Sequence, residues 1–152
     1  LAGSIKPRLL AVYVRDALAT KGGCVKHKLA ASRALLASLT HDDFSESVRP
    51  VLEKLQKKNP DSILLAVACL VKHVRIDLSS NIGTFLTPLL RQLRSAKEDV
   101  RRVAVELVGD VAERCGDPQA LESMTTELSS VLAGKSGVMA QWYQRHAFFM
   151  AL

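Results

Sequence analysis

The stretch SAKEDVRRVAVELVGDVAERCGDP, residues 95–118, has the pattern of one complete helix with its flanking loops. Gly116 and Pro118 follow the pattern directly, as residues that end a helix and start the next commonly do. Apolar residues recur at intervals of three and four positions, which places them on one helical face: Val100, Ala104, Leu107, Val108, Val111 and Cys115. The sequence therefore predicts a helix over residues 98–115.

This helix belongs to a repeat with a period of 38 residues. Residues 88–112 align without a gap on residues 50–74, so that Pro88 meets Pro50, Asp99 meets Asp61 and Ala104 meets Ala66. Internal repetition at such a period is typical of stacked structural units rather than of a single globular core.

Each copy is predicted to be a pair of helices, because two apolar stripes of helical period follow each other. The helices are expected at residues 44–58, 61–76, 82–95 and 98–115. Asp117 is a predicted N-cap before Pro118, and Ser79 or Ser80 a predicted cap of the helix from residue 82. Less regular pairs flank these copies, giving about four repeats at residues 5–39, 43–76, 80–115 and 117–152. The fold class predicted from this pattern is all-α, an α-solenoid of helical hairpins. Residues 1–152 are expected to be one fragment of a longer protein.

The period, the proline in the first helix of each pair and the segment EDVRRVA (98–104) resemble HEAT repeats. On that resemblance, Asp99 and Arg101 match the Asp and Arg positions that bond between neighbouring repeats. The earlier copy keeps Asp61 but has Ile63 in place of the arginine. The resemblance therefore implies an inter-repeat bond at the later copy and a broken ladder at the earlier one.

The sequence contains no motif typical of an enzyme active site. The segment AGKSG (133–137) lacks the first glycine of a phosphate-binding loop, and no HExxH or GxSxG pattern is present. Cys24, Cys69 and Cys115 lie far apart, and we expect Cys69 and Cys115 to be buried thiols. The longest apolar run, ILLAVACLV (63–71), is about half of what a bilayer requires. We therefore expect no catalytic residue, metal, cofactor, small-molecule substrate or membrane contact.

The basic residues are the informative polar feature. The net charge is +6, and residues 1–41 hold seven basic residues, Lys26 and Lys28 among them, against one acidic residue, Asp16. Further along, two groups share a helical face or adjoin it: Lys54, Lys57 and Lys58, and then Arg91, Arg94 and Lys97. From the residues alone, an ordinary solvated helix face is favoured over a nucleic-acid contact. If nucleic acid is bound, the scarcity of aromatic residues predicts contacts to phosphates.

Residues 39–79 and 104–137 resemble the N-terminal region of the giant general-control translational activators. Matching points include Phe44, Pro50, the segments Asp77-Leu78-Ser79 and Arg114-Cys115, and Asp117. The resemblance covers residues 39–140 well and 5–38 loosely.

This resemblance implies a cytosolic, non-catalytic scaffold that lies along ribosomes and helps to activate the kinase of initiation factor two alpha during amino-acid starvation. Its implied partners are the ribosome, through RNA phosphates and ribosomal proteins, and the other HEAT repeats of its own chain. The candidate ribosome-contact residues are then the basic ones: Lys54, Lys57, Lys58, Arg91, Arg94, Lys97, Lys26 and Lys28. The alternatives are a transport-receptor-like HEAT adaptor that grips peptides and an architectural spacer.

Overall fold

The computed structural model describes residues 34–58 and 63–132, together with His146, Met150 and Ala151. This part of the chain contains helices and loops and no strand, which confirms the all-α fold class of helical hairpins. Residues 34–37, His146, Met150 and Ala151 are helical. The α-helices with defined bounds are α1 (His41–Asp43), α2 (Arg49–Lys58), α3 (Ile63–His73), α4 (Ile82–Gln92), α5 (Glu98–Glu113) and α6 (Pro118–Leu132). A π-helical segment (Phe44–Val48) joins α1 to α2, and a 3-10 turn (Ser79–Asn81) precedes α4. The chain divides into two compact units, Leu1–Ile76 and Asp77–Leu152.

In the first unit, the helix from residue 41 begins with a capping box. The Thr40 hydroxyl accepts the Asp43 N–H at 3.2 Å, and the Asp43 carboxylate accepts the Thr40 N–H at 3.0 Å. Two backbone donors at the helix start are thereby satisfied. The π-helical segment ends where the Arg49 N–H donates to the Phe44 carbonyl, directly before Pro50, which has no N–H to continue the α-helical ladder.

Helices α2 and α3 pack against each other in the first unit. The core residues from this part of the chain are fully or nearly fully buried: Phe44, Val48, Leu52, Ile63, Val67, Leu70, Val71 and Val74. Leu65 lies on the other face of α3 and is 77% exposed. The period of three and four residues in the sequence thus marks the buried face of α3 correctly.

In the second unit, α4 packs against α5, and α6 contacts both α4 and the 3-10 turn. Phe85, Leu86 and Leu89 of α4 are buried. They share the core with residues from the neighbouring elements: Leu78, Leu93, Ala104, Leu107, Val108, Val111, Cys115, Met124, Leu128 and Val131. Burying a side chain such as that of Phe85 contributes about 1.5–3 kcal/mol relative to leaving it exposed. Pro88 is buried inside α4.

The helices end earlier than the sequence predicts. Helix α3 ends at His73 rather than residue 76, α4 at Gln92 rather than 95, and α5 at Glu113 rather than 115. At the ends of α4 and α5 the chain tightens: the Ser95 N–H donates to the Gln92 carbonyl and the Cys115 N–H to the Ala112 carbonyl, each three residues back. These turns keep Leu93 and Cys115 in the core, so the apolar pattern continues past the last helical residue.

The predicted repeats are only partly within the described residues. Most of the repeat at 5–39 lies outside them, and so does most of the second half of the repeat at 117–152. The number of four repeats and their boundaries therefore stay predictions.

Candidate nucleic-acid interface and the junction loops

The first group of candidate residues lies at the C-terminal end of α2. Lys54, Lys57 and Lys58 are all exposed. Lys57 and Lys58 stand in the last turn of the helix, where cations also interact favourably with the helix dipole. One turn earlier, Arg49 Nε lies 3.2 Å from Glu53 Oε1, with both side chains about half exposed. Such an exposed ion pair adds about 0–1 kcal/mol to stability.

The second group surrounds the turn between α4 and α5. Arg91, Arg94 and Lys97 are exposed, and we call these three residues the basic turn. The Arg94 N–H donates to the Arg91 carbonyl at 3.2 Å, which closes a 3-10 turn. Side chains three residues apart eclipse each other in that geometry, so Arg91 and Arg94 emerge on the same side of the chain. The structure thus brings Arg91 and Arg94 together, and Lys97 follows three residues later in the same loop.

Arg101 fastens the loop of the basic turn. Its Nη1 donates to the carbonyl oxygens of Ser95 at 2.9 Å and Ala96 at 2.8 Å, and its side chain is half-buried. Asp99 is exposed in the first turn of α5. Arg101 therefore has a structural role within its own hairpin, and the bond of Asp99 and Arg101 between neighbouring repeats stays a prediction.

The remaining basic candidates are not placed by the structure. Lys26 and Lys28 lie outside the described residues. Lys54, Lys57 and Lys58, which we call the α2 group, lie in the first unit, and the basic turn lies in the second. The structure therefore gives the geometry of each group by itself.

A second polar site, which the sequence did not predict, joins the loop before α4 to the loop before α6. Asp77 Oδ2 accepts the Gly116 N–H at 3.0 Å, and Asp77 Oδ1 accepts the Ser79 N–H at 2.7 Å. The Ser79 hydroxyl in turn accepts the Asp117 N–H at 3.1 Å. We call Asp77, Ser79, Cys115, Gly116 and Asp117 the junction. Its bonds satisfy backbone donors that lie outside the α-helices.

The junction corrects one predicted cap and confirms another. Ser79 does not cap α4, since Asn81 is the N-cap there and no side chain accepts a capping bond. Ser79 instead receives the amide of Asp117 from the following loop. Asp117 does cap α6: its Oδ1 accepts the Gln119 N–H at 3.0 Å, with Pro118 at the first helical position.

Cys115 is buried in the junction. Burial raises the pKa of its thiol, and the carboxylates of Asp77 and Asp117 raise that pKa further, while a hydrogen bond with Ser79 acts in the opposite direction. A raised pKa means less thiolate and lower reactivity. Cys69 was predicted to be buried as well, which is wrong: it is half-buried, because it lies beside the core face of α3 rather than on it.

The described residues hold no group of three or more histidine, cysteine or acidic side chains that could bind a metal ion. Over the same residues, no helix has both the length and the apolar character needed to span a bilayer.

The sequence did contain a signal for the junction. Ser79 and Asp117 are separated by the repeat period of 38 residues, so they hold the same position in successive repeats. Asp-Leu-Ser at 77–79 and Gly-Asp-Pro at 116–118 are polar, turn-forming segments at those positions. A search for hydrogen-bonding residues one period apart could therefore have identified the junction.

Comparison with known proteins connects this architecture to one family. The family model described as the N-terminal region of the stalled ribosome sensor GCN1 matches residues 6–139. The Protein ILITYHIA of Arabidopsis thaliana is 29% identical over 134 residues, which is 88% of this chain. The stalled ribosome sensors GCN1 of mouse and human are each 28% identical over 132 residues, or 87% of the chain.

The chain spans about 5% of the length of each of these relatives. No solved structure matches it. The family model nevertheless covers most of the sequence, including both basic groups and the junction. The chain therefore belongs to the family of the GCN1 N-terminal region.

Proposed function

We propose that this chain is part of a non-catalytic scaffold that associates with ribosomes and regulates translation in the cytoplasm. The observation that carries the proposal is the match of residues 6–139 to the N-terminal region of a stalled ribosome sensor. The exposed basic residues of α2 and of the basic turn support it, because ribosomal RNA presents a dense array of phosphates. Exposed cations attract such a partner at long range and hold it by charge.

The parent scaffold, in this proposal, promotes phosphorylation of initiation factor two alpha during amino-acid starvation. This chain contributes docking rather than kinase contact, since exposed basic residues lie at helix ends in the part of the chain that the structure describes. A docking module works additively with others, because linked weak contacts raise overall affinity by avidity. One module of about 5% of the scaffold length is therefore expected to bind weakly alone.

The test is ribosome co-sedimentation of the full-length parent protein with Lys57, Lys58, Arg91 and Arg94 changed to Glu. Exposed charges contribute little to folding, so the helical circular dichroism spectrum should be retained. Sedimentation with ribosomes at low salt should fall. The substitutions Lys72→Glu and Arg75→Glu, at exposed positions elsewhere in the first unit, form a control for the pair Lys57→Glu and Lys58→Glu with an equal change of charge.

If the quadruple variant folds and sediments like the wild type, these residues form a solvated face and do not dock the scaffold. If the Lys72→Glu and Arg75→Glu variant loses as much ribosome sedimentation as the Lys57→Glu and Lys58→Glu variant, net charge rather than position determines the binding. A peptide-binding adaptor would instead keep its ribosome sedimentation unchanged in all variants.

The link to starvation signalling has its own readout. In cells that express only the quadruple variant, phosphorylation of initiation factor two alpha after amino-acid withdrawal should be reduced in step with ribosome association. Normal phosphorylation despite lost ribosome association would separate the two activities and refute this part of the proposal.

A further inference from the structure

The second unit is electrically polarised along α5. The basic turn lies at the N-terminal end of this helix, where Lys97 is the N-cap. Towards the other end, Glu106, Asp110 and Glu113 are all exposed, and we call these three residues the acidic end. Lys97 and Glu106, the nearest members of the two groups, are nine residues apart, which corresponds to about 14 Å along the helix axis at 1.5 Å per residue. The two charged groups are therefore separated by more than the screening length of about 8 Å at physiological salt, so each acts on its own surroundings.

The basic turn is held in one conformation by its own hydrogen bonds. In addition to the two bonds from Arg101, the Lys97 N–H donates to the Ser95 hydroxyl at 3.2 Å and the Ser95 N–H to the Gln92 carbonyl at 3.0 Å. Gln92 and Leu93, which lie between Arg91 and Arg94, are buried. An ordered loop loses less conformational entropy on binding than a flexible one. The cations are therefore presented on a fixed support.

The two basic groups differ in the acidic residues around them. Residues 79–97 contain no acidic residue, whereas Glu53 lies within the α2 group, beside Lys54 and four residues before Lys57. Glu98 and Asp99 follow the basic turn in the first turn of α5, where acids interact with the helix N-terminus. From residue 91 to residue 102 there are five basic residues and two acidic ones. The excess positive charge therefore lies at residues 91–97, before the acidic pair Glu98 and Asp99.

The surface favours a phosphate backbone over bases. Among residues 77–132, which carry the basic turn, the one aromatic side chain is that of Phe85, and it is fully buried. No exposed ring is therefore available in residues 77–132 to stack on an unpaired base. Arginine and lysine side chains bind phosphates through charge and hydrogen bonds that do not depend on sequence.

We infer that the basic turn of Arg91, Arg94 and Lys97 binds the backbone of double-stranded RNA, while the acidic end faces away from it. This inference rests on the proposed function and narrows it to one loop and one kind of partner. The polarity of the unit fixes the orientation: the α4–α5 turn meets the phosphates, and the far end of α5 is repelled by them.

The test uses the 152-residue chain and a short blunt-ended RNA duplex, with binding followed by fluorescence anisotropy. Three phosphate contacts predict a slope of about −2.7 for the logarithm of affinity against the logarithm of salt concentration. Affinity should then fall roughly 40-fold between about 50 and 200 mM salt. Arg91→Ala should reduce the magnitude of this slope by about 0.9, the share of one phosphate contact, whatever the RNA sequence.

A charge-swap variant separates position from net charge. The triple variant Arg91→Glu, Arg94→Glu and Lys97→Glu should lose duplex binding. Adding Glu106→Lys, Asp110→Lys and Glu113→Lys restores the net charge but moves the cations to the other end of α5. These positions are exposed and helical, where lysine is a good helix former, so the fold should be kept. The six-fold variant should stay well below the wild type in affinity, because its cations no longer lie on the basic turn.

Three results would overturn the inference: no duplex binding by the wild type at low salt, wild-type affinity in the folded triple variant, or full recovery in the six-fold variant. If the triple substitution abolishes ribosome sedimentation of the parent protein but leaves duplex binding intact, the basic turn contacts an acidic protein surface. That outcome refutes RNA as the partner and leaves the proposed ribosome association standing.

Discussion

Replacing Gly116 by alanine tests whether the junction stabilises the second unit. A Cβ atom at Gly116 would lie 2.5 Å from Asp77 Oδ2, closer than real Cβ contacts allow. That oxygen already accepts the Gly116 N–H, and the other oxygen of the same carboxylate is held by the Ser79 N–H. The carboxylate must therefore move, and at least the bond to Gly116 is lost. Gly116 has no left-handed backbone conformation, so the cost comes from this contact rather than from backbone strain.

The magnitude follows from two opposing contributions. A hydrogen bond to a charged group contributes about 1.5–3 kcal/mol to stability. Against that, replacing glycine by alanine reduces the entropy of the unfolded chain and stabilises by about 0.4–1 kcal/mol. We expect Gly116→Ala to lower the free energy of unfolding by about 1–2 kcal/mol.

Urea denaturation followed by circular dichroism measures this difference. Gly109→Ala is the matched control, because Gly109 lies inside α5 and a Cβ there would meet nothing within 4 Å. It should raise stability by about 0.5–1 kcal/mol, the ordinary advantage of alanine over glycine in a helix. The two substitutions are chemically identical, so they should shift the urea midpoint in opposite directions.

A double-mutant cycle identifies the cause. Asp77→Ala removes the carboxylate, so Gly116→Ala should cost much less in that background than in the wild type, with a coupling above about 0.5 kcal/mol. If Gly116→Ala is as stable as Gly109→Ala, or if the two substitutions at the junction are additive, the bond between Asp77 and Gly116 does not stabilise the unit.

Four further outcomes are expected. Asp117→Ala removes the cap of α6 and should cost about 0.5–2 kcal/mol in urea denaturation, whereas Asp117→Asn, which can still accept the Gln119 N–H, should cost less. Ala104→Leu introduces a larger side chain at a fully buried position and should cost about 1–3 kcal/mol; an unchanged melting temperature would show that the core has room there. Cys115 should react with a thiol reagent more slowly than the half-buried Cys69, because burial and nearby carboxylates raise its pKa. The same raised pKa favours the protonated thiol in the folded state, so the stability contributed by Cys115 should decline as the pH rises above the ordinary pKa of a thiol. Equal rates of thiol labelling at Cys115 and Cys69 would contradict the placement of Cys115 in the core.

The hairpins could be predicted from the sequence because burial imposes a regular period on apolar residues. Along α5, Ala104, Leu107, Val108 and Val111 follow that period, and all four are buried. The helix ends were less predictable, since Leu93 stays buried just past the last helical residue, where its N–H makes a final α-helical bond to the Leu89 carbonyl before the chain tightens into a 3-10 turn. Apolar periodicity reports which face is buried, and it does not report which carbonyl each N–H meets.

The exposure of the six basic candidates that the structure describes was also predictable, because lysine and arginine are rarely buried without a partner. Arg101 departs from this expectation in part. It is half-buried and donates to two backbone carbonyls, so one cation in the segment supports the loop while its neighbours remain exposed. A count of charges cannot separate these two roles, since they depend on where the loop carbonyls point.

The junction shows why a repeat pattern predicts positions better than it predicts chemistry. Ser79 and Asp117 hold the same place in successive repeats, yet the Ser79 N–H is accepted by Asp77 and the Asp117 N–H by the Ser79 hydroxyl. Asp117 then caps its own helix, which Ser79 does not do. The Ser79 N–H finds its acceptor within its own loop, whereas the Asp117 N–H finds one in the preceding loop. Because the available acceptors differ between the two loops, the same repeat position takes on a different role in each of them, and only the folded structure reveals which one.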